Sequence, residues 1–202
     1  IPILKINTPI GYIPNDPKTP GTIRVFDNGW NQLNSFSDPT PSYQFQVGIE
    51  TQGYTSSGGD KPNYDVEIQN AAGVDTSISI LGLPAESDFV LKSCYTDEYM
   101  MKDPLTFAMS NRMGFYAPRT RYVELVVNNQ YAGLYILMEK VKRDSNRVSI
   151  AKLTPNDTIG NEVTGGYIFE VNPNGDPASW YSQYQGYQGA NLGGFIEFKT
   201  VT

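Results

Sequence analysis

Residues 88–142, DFVLKSCYTDEYMMKDPLTFAMSNRMGFYAPRTRYVELVVNNQYAGLYILMEKVK, decide the fold of this chain. Their chemistry gives a strand, a helix, a tight hairpin and an exit, in that order. Phe89-Val90-Leu91 is an apolar run closed by Lys92, as in a buried strand. The helix has legible ends: Asp103 suits the cap, Pro104 the first helical position and Gly114 the residue past the end. This predicts a helix over 103–113, with Leu105, Ala108, Met109 and Met113 forming one apolar face directed at the core. Arg121 to Val127 and Gln130 to Val141 read as the arms of a hairpin, because Asn128-Asn129 between them tolerates the positive φ angles of a type I′ turn. The second arm is apolar almost without break from Leu134 to Met138, the pattern of a central strand.

Upstream, residues 1–6, 23–26, 43–50 and 64–69 alternate apolar with polar residues, the signature of half-buried strands. Pro14, Pro17 and Pro20 mark a loop between the first two. The connection between the last two, from Thr51 to Asp60, is rich in glycine and hydroxyls and includes Gly53 and Ser56. Such a loop can offer backbone N–H groups to phosphate oxygens, since glycine permits close approach and unusual dihedrals. It lacks the lysine followed by Ser or Thr of a P-loop, and an ordinary flexible hairpin connection explains the same composition. Downstream, residues 140–147 read as a solvated basic loop, followed by short strands at 148–150 and 165–171. From Asn172 to Gly194 the chain is rich in Tyr, Gln, Asn and Gly; Trp180, Tyr181, Tyr184 and Tyr187 suit either aromatic platforms for a sugar or peptide or a loop over the core edge.

The predicted fold is α+β: a mainly antiparallel sheet with one principal helix, in a single domain or lobe over 1–202. The 14 tyrosines, 19 glycines and 14 prolines agree with many strands and turns. A net charge of −6 with no long basic run argues against nucleic acid as a partner. No apolar run reaches the roughly 20 residues that cross a bilayer as a helix. The chain has no histidine, which removes Ser-His-Asp and Cys-His catalysis and histidine-based zinc sites from its own repertoire. Its one cysteine, Cys94, follows the 89–92 strand and reads as a buried, inert thiol.

Lys92 is the residue that asks for a reason. An unpaired ammonium at the end of a buried strand costs several kcal/mol, so it must reach solvent, pair with a carboxylate or face an anionic ligand. The residues alone leave these three outlets open.

An ordered set of short motifs narrows them. Gly82-Leu83-Pro84 precedes Phe89-Val90-Leu91-Lys92, followed by Tyr95-Thr96-Asp97, Asp103-Pro104-Leu105 and Met113-Gly114-Phe115-Tyr116-Ala117-Pro118-Arg119-Thr120-Arg121. Then come Tyr122-Val123-Glu124-Leu125, Asn128, Tyr131, Gly133-Leu134-Tyr135, Glu139-Lys140, Arg143-Asp144, Asn146-Arg147-Val148 and Thr164-Gly165-Gly166-Tyr167-Ile168. In this order the motifs resemble the CotH family, the spore-coat-type atypical protein kinases that also occur in bacterial secreted and surface proteins. The resemblance implies a fold like the nucleotide-binding lobe of a protein kinase, with residues 1–87 as N-terminal strands and glycine-rich loop and 88–202 as the CotH-like core.

It also implies phosphoryl transfer from ATP to protein Ser or Thr, with Mg²⁺. In that scheme the loop carrying Gly53 and Ser56 covers the phosphates, Lys92 approaches them as a positive point charge, and Met138, Glu139 and Lys140 lie beside the adenine. Asp97 is the first choice of carboxylate to pair with Lys92, with Glu98 as the alternative. The implied catalytic and metal-binding aspartates lie beyond Thr202, so no catalytic or metal residue is assigned here, and the expectation is a piece of a longer, exported protein whose signal peptide has been removed. Two departures stand out: Gln52-Gly53-Tyr54-Thr55-Ser56 replaces an Arg-Gly pair followed by serines, and Lys102 replaces an arginine before the helix. The competing implication is a non-catalytic surface, adhesion or carbohydrate-associated module that keeps the fold.

Overall fold

The structure is a computed structural model; it describes residues 1–53, 60–154, 156–163, 166–172, 179–181 and 195–199. The chain divides into two compact units, Ile1–Lys140 and Val141–Thr202.

The first unit is built from β1 (Ile3–Asn7), β2 (Thr19–Phe26), β3 (Tyr43–Gln52), β4 (Asn63–Gln69), β5 (Ile78–Ile80), β6 (Leu83–Glu86), β7 (Asp88–Lys92), α1 (Lys102–Arg112), β8 (Thr120–Val127) and β9 (Gln130–Glu139). Seven of these strands close a barrel in the order β1-β2-β3-β4-β7-β9-β8, while β5 and β6 make a separate small hairpin. All neighbours are antiparallel except β8 and β1, which close the barrel in parallel, Ile3 opposite Glu124 through Ile6 opposite Val127.

This overturns the expected α+β fold. The protein is mostly β, a closed barrel rather than the sheet of a kinase nucleotide-binding lobe, and α1 is a short helix that buries none of its residues. Leu105, Met109 and Met113, expected in the core, are 54%, 55% and 68% exposed. The physical reason is closure. Alternate residues of every strand point inward, and Leu4, Ile6, Ile23, Val47, Ile68, Phe89, Leu91, Val123, Leu125 and Tyr135 fill one core without a helix to cap it.

The helix ends also differ from the sequence reading. The N-cap position is Met101, with no side-chain cap of its own, and Asp103 lies in the first turn. Asp97 Oδ2 instead accepts from the Lys102 N–H at 2.9 Å, satisfying one of the free donors of the first turn from outside the helix. The far end follows the expectation: Gly114 has φ +87°, and the Phe115 N–H donates to the Ser110 carbonyl at 3.1 Å. The hairpin is as read, with Asn128 and Asn129 at φ 49° and 66°, and a bulge between Leu125 and Val126.

In the second unit, β10 (Ile168–Asn172), β11 (Ser179–Tyr181) and β12 (Phe195–Lys199) form an antiparallel sheet in the order β10-β12-β11. The expected strand at 148–150 is reduced to one bridge between Arg143 and Val148. Arg147, expected in a solvated loop, is buried. No helix among the described residues is long and apolar enough to cross a membrane.

Candidate functional site

The outward face of β7 is where the candidate residues meet. Phe89 and Leu91 belong to the core, so alternation turns Val90 and Lys92 to the outside of the barrel. Register sets Asp65, Val90, Met138 and Thr120 in one row across β4, β7, β9 and β8. Lys92, Ile136 and Tyr122 form the next row on β7, β9 and β8, about 7 Å along the strands at a rise of 3.3 Å per residue.

Lys92 forms an ion pair with Asp103, in the first turn of α1. Both side chains stay about one-third open, at 37% and 32%, so the pair is reachable from solvent. Asp97, the first choice of partner for Lys92 in the sequence, holds the helix start, with its backbone N–H on the Cys94 carbonyl at 2.9 Å. Asp103, expected as the cap, lies in the first turn instead, and from there it reaches Lys92 on β7.

The segment from Ser93 to Met101 is tied down at several points. Ser93 donates through its N–H and hydroxyl to Asn63 Oδ1 at 2.8 and 3.0 Å, and the Tyr122 hydroxyl donates to the Met100 carbonyl at 2.7 Å. Cys94 is buried, as expected of an inert thiol, and burial pushes its pKa up. Lys61 donates to the Leu134 carbonyl at 2.6 Å and sits 4.7 Å from the Tyr135 ring centroid, with burial holding its pKa below the usual lysine value.

At the exit of β9 the sequence-predicted residues divide. Met138 is half-buried on the outward face, beside Val90. Glu139 is fully buried and clasped by Arg119, which donates through its backbone N–H and Nε to Oε2 at 2.8 and 2.9 Å and pairs through Nη2 with Oε1 at 2.8 Å. Lys140 pairs with Asp65 across the barrel wall. Glu139 and Lys140 are therefore engaged in fastening β9 to its neighbours. Gly53 ends β3 at φ +106°, a conformation that suits glycine, whereas Ser56 lies outside the described residues. Of the aromatic tract, Trp180 and Tyr181 fall on β11, and Tyr184 and Tyr187 lie outside the described residues.

The structure thus brings Lys92, Val90 and Met138 together on one face and adds Asp103 and Asp65, which the sequence reading did not assign to the site. A signal for Asp103 was present: an acidic residue in the first turn of the helix that follows a strand-end lysine. Among the described residues, no group of three or more Cys, Asp or Glu is arranged to hold a metal. Replacing Asp97 with alanine is expected to cost about 1 kcal/mol through the lost first-turn hydrogen bond. Amide exchange at Lys102 should accelerate while that of the β8–β9 hairpin stays unchanged.

The family described as CotH kinase protein matches residues 49–193, from the end of β3 through the segment preceding β12. The chain belongs to the CotH family. No curated protein matches it. The match takes in the Gly53 connection, the Lys92–Asp103 pair, the β8–β9 hairpin and the Arg119–Glu139 clasp of this CotH domain.

Proposed function

We propose that this CotH domain is the ATP-binding half of a protein kinase that phosphorylates Ser or Thr, with the outward face of β7 and β9 as the nucleotide surface. The observation that carries the reading is the Lys92–Asp103 pair. A strand lysine oriented by a helix carboxylate and left partly open suits a phosphate group that needs a fixed cation. Val90 and Met138 supply apolar surface one row away for the base. ATP supplies the phosphoryl group; the residues described here contribute charge, an apolar platform and orientation.

Mg²⁺ would accompany the nucleotide, but this reading gives it no ligand among the described residues, and it leaves the chain by itself inactive in transfer. A protein substrate, and an extracellular or cell-surface location, belong to the same proposal and rest on family resemblance alone.

One observation favours a second reading, a non-catalytic CotH-like surface, adhesion or carbohydrate-associated module. Glu139 and Lys140, expected beside the adenine, are both committed to protein partners. Titration with ATP and Mg²⁺ separates the two. The wild-type chain is expected to bind, and Lys92→Ala to bind at least about tenfold more weakly, the loss of one charge-assisted contact of 1.5–3 kcal/mol. Equal binding by both proteins removes Lys92 from the site, and no binding by either favours the non-catalytic module.

A further inference from the structure

We infer that a cleft beside the β2–β3 loop binds a neutral sugar, at a site separate from the proposed nucleotide surface. Strand directions set the start of β1, that loop and the start of β8 at one end of the barrel, where a cleft of about 640 Å³ opens. This volume lies in the range of sites for small organic ligands. Its wall comes from the first two residues, the loop between Asp27 and Asn34, Leu81 and Arg121; neither Lys92 nor Met138 lines it. The loop precedes the family match at 49–193, so the CotH reading leaves it without a role.

Trp30 lines the cleft and is 91% exposed, although tryptophan is highly buried on average. The loop that holds it out is braced from within. The Asn28 N–H donates to Asn34 Oδ1 at 2.6 Å and its Nδ2 to the Leu33 carbonyl at 2.8 Å, the Gly29 N–H donates to Asp27 Oδ1 at 3.2 Å, and Asn34 Nδ2 donates to the Ile1 carbonyl at 2.9 Å. Asn28 and Asn34 thus build the loop, whereas the Trp30 indole and the Asn31 and Gln32 amides make no hydrogen bond among the described residues. Fixing the loop in advance lowers the ordering cost of binding.

Arg121 adds donors from a different element. Its Nε donates to the Leu81 carbonyl at 2.9 Å and its Nη1 to the Thr120 carbonyl at 3.0 Å, which orients the guanidinium and leaves further N–H groups for a ligand. It makes no ion pair among the described residues.

The wall sets the ligand class. Asp27 and Arg121 put one charge of each sign in the cleft, so an ion of either sign meets a like charge as well as an opposite one. A neutral sugar can use both. Its C–H face covers the indole, and its hydroxyls donate to the Asp27 carboxylate and the amide oxygens and accept from Arg121.

The test titrates neutral gluco-, manno- and galacto-oligosaccharides, alongside uronic-acid oligosaccharides, into wild type, Trp30→Ala, Gln32→Ala and Leu33→Ala by NMR, with and without ATP and Mg²⁺. The chain has two tryptophans, so Trp30→Ala assigns the Trp30 indole N–H signal. At least one neutral sugar is expected to shift that signal saturably and to keep its affinity when ATP is present. It should bind roughly tenfold more weakly to Trp30→Ala and roughly fivefold more weakly to Gln32→Ala. Leu33 is 94% exposed on the same loop but does not line the cleft, so Leu33→Ala should bind as wild type does. All three substituted side chains are exposed, and thermal melts confirm that each variant folds. No binding of a neutral sugar, binding of the uronic-acid series only, unchanged affinity in Trp30→Ala or Gln32→Ala, or displacement by ATP would overturn the inference. So would an equal loss in Leu33→Ala, which would mark the loop as an apolar surface for a protein instead.

Discussion

Arg119→Ala is expected to lower the unfolding free energy by about 3 kcal/mol, and the melting temperature by roughly 6–12 °C for a chain of this size. The arginine is not itself deeply buried, but its partner Glu139 is fully enclosed. Removing the guanidinium leaves a carboxylate desolvated and short of its main charge partner, and that penalty, more than the lost attraction, sets the size of the effect. Arg119→Lys keeps the charge and the backbone N–H bond but loses the forked geometry, so an intermediate loss is expected. Urea unfolding of the three proteins gives the ranking. A wild-type midpoint for Arg119→Ala would mean that the clasp does not hold β9 to the segment before β8.

Phe89→Ala is expected to cost about 3–5 kcal/mol, because it empties a large, fully buried site inside the barrel. The same strand presents Val90 and Lys92 to the outside, which makes the two faces separable. Below the melting temperature of the variant, nucleotide affinity should remain within about twofold of wild type, since small shifts across a closed barrel wall leave the Lys92–Asp103 pair in place. Denaturant unfolding and a nucleotide titration on the same preparation read both effects. A mild destabilisation, below about 1 kcal/mol, would contradict the tightly filled core.

Local structure was the legible part of this sequence. The Asn128-Asn129 turn, the strand ending at Lys92 and the glycine that stops α1 each rest on neighbouring residues, and the structure has all three. Closure was not legible, because an alternating strand has the same pattern in an open sheet and in a barrel. What closes the barrel is a parallel pairing of Ile3–Ile6 with residues 124–127, far apart in sequence. The misplaced helix face follows from the same fact: Leu105, Met109 and Met113 are spaced for a core that the strands had already filled among themselves.

The site was legible as far as single residues carry it. Lys92 was singled out by its position and is found in an ion pair, but the choice between Asp97 and Asp103 depended on where the helix begins. With α1 starting at Lys102, Asp97 caps it and Asp103 faces the lysine. Glu139 and Lys140 were placed beside a nucleotide by resemblance; their pairing with Arg119 and Asp65 depends on barrel register and could not be read from local sequence.

The central claim is that a nucleotide lies on the outward face of β7 and β9. Amide and methyl NMR shifts recorded while the chain is titrated with ATP and Mg²⁺ test it most directly. The account predicts saturable shifts at Val90, Lys92, Ile136, Met138 and Asp103, with the inward residues Phe89 and Leu91 much less affected. No saturable shifts, or shifts confined to another surface, would contradict it.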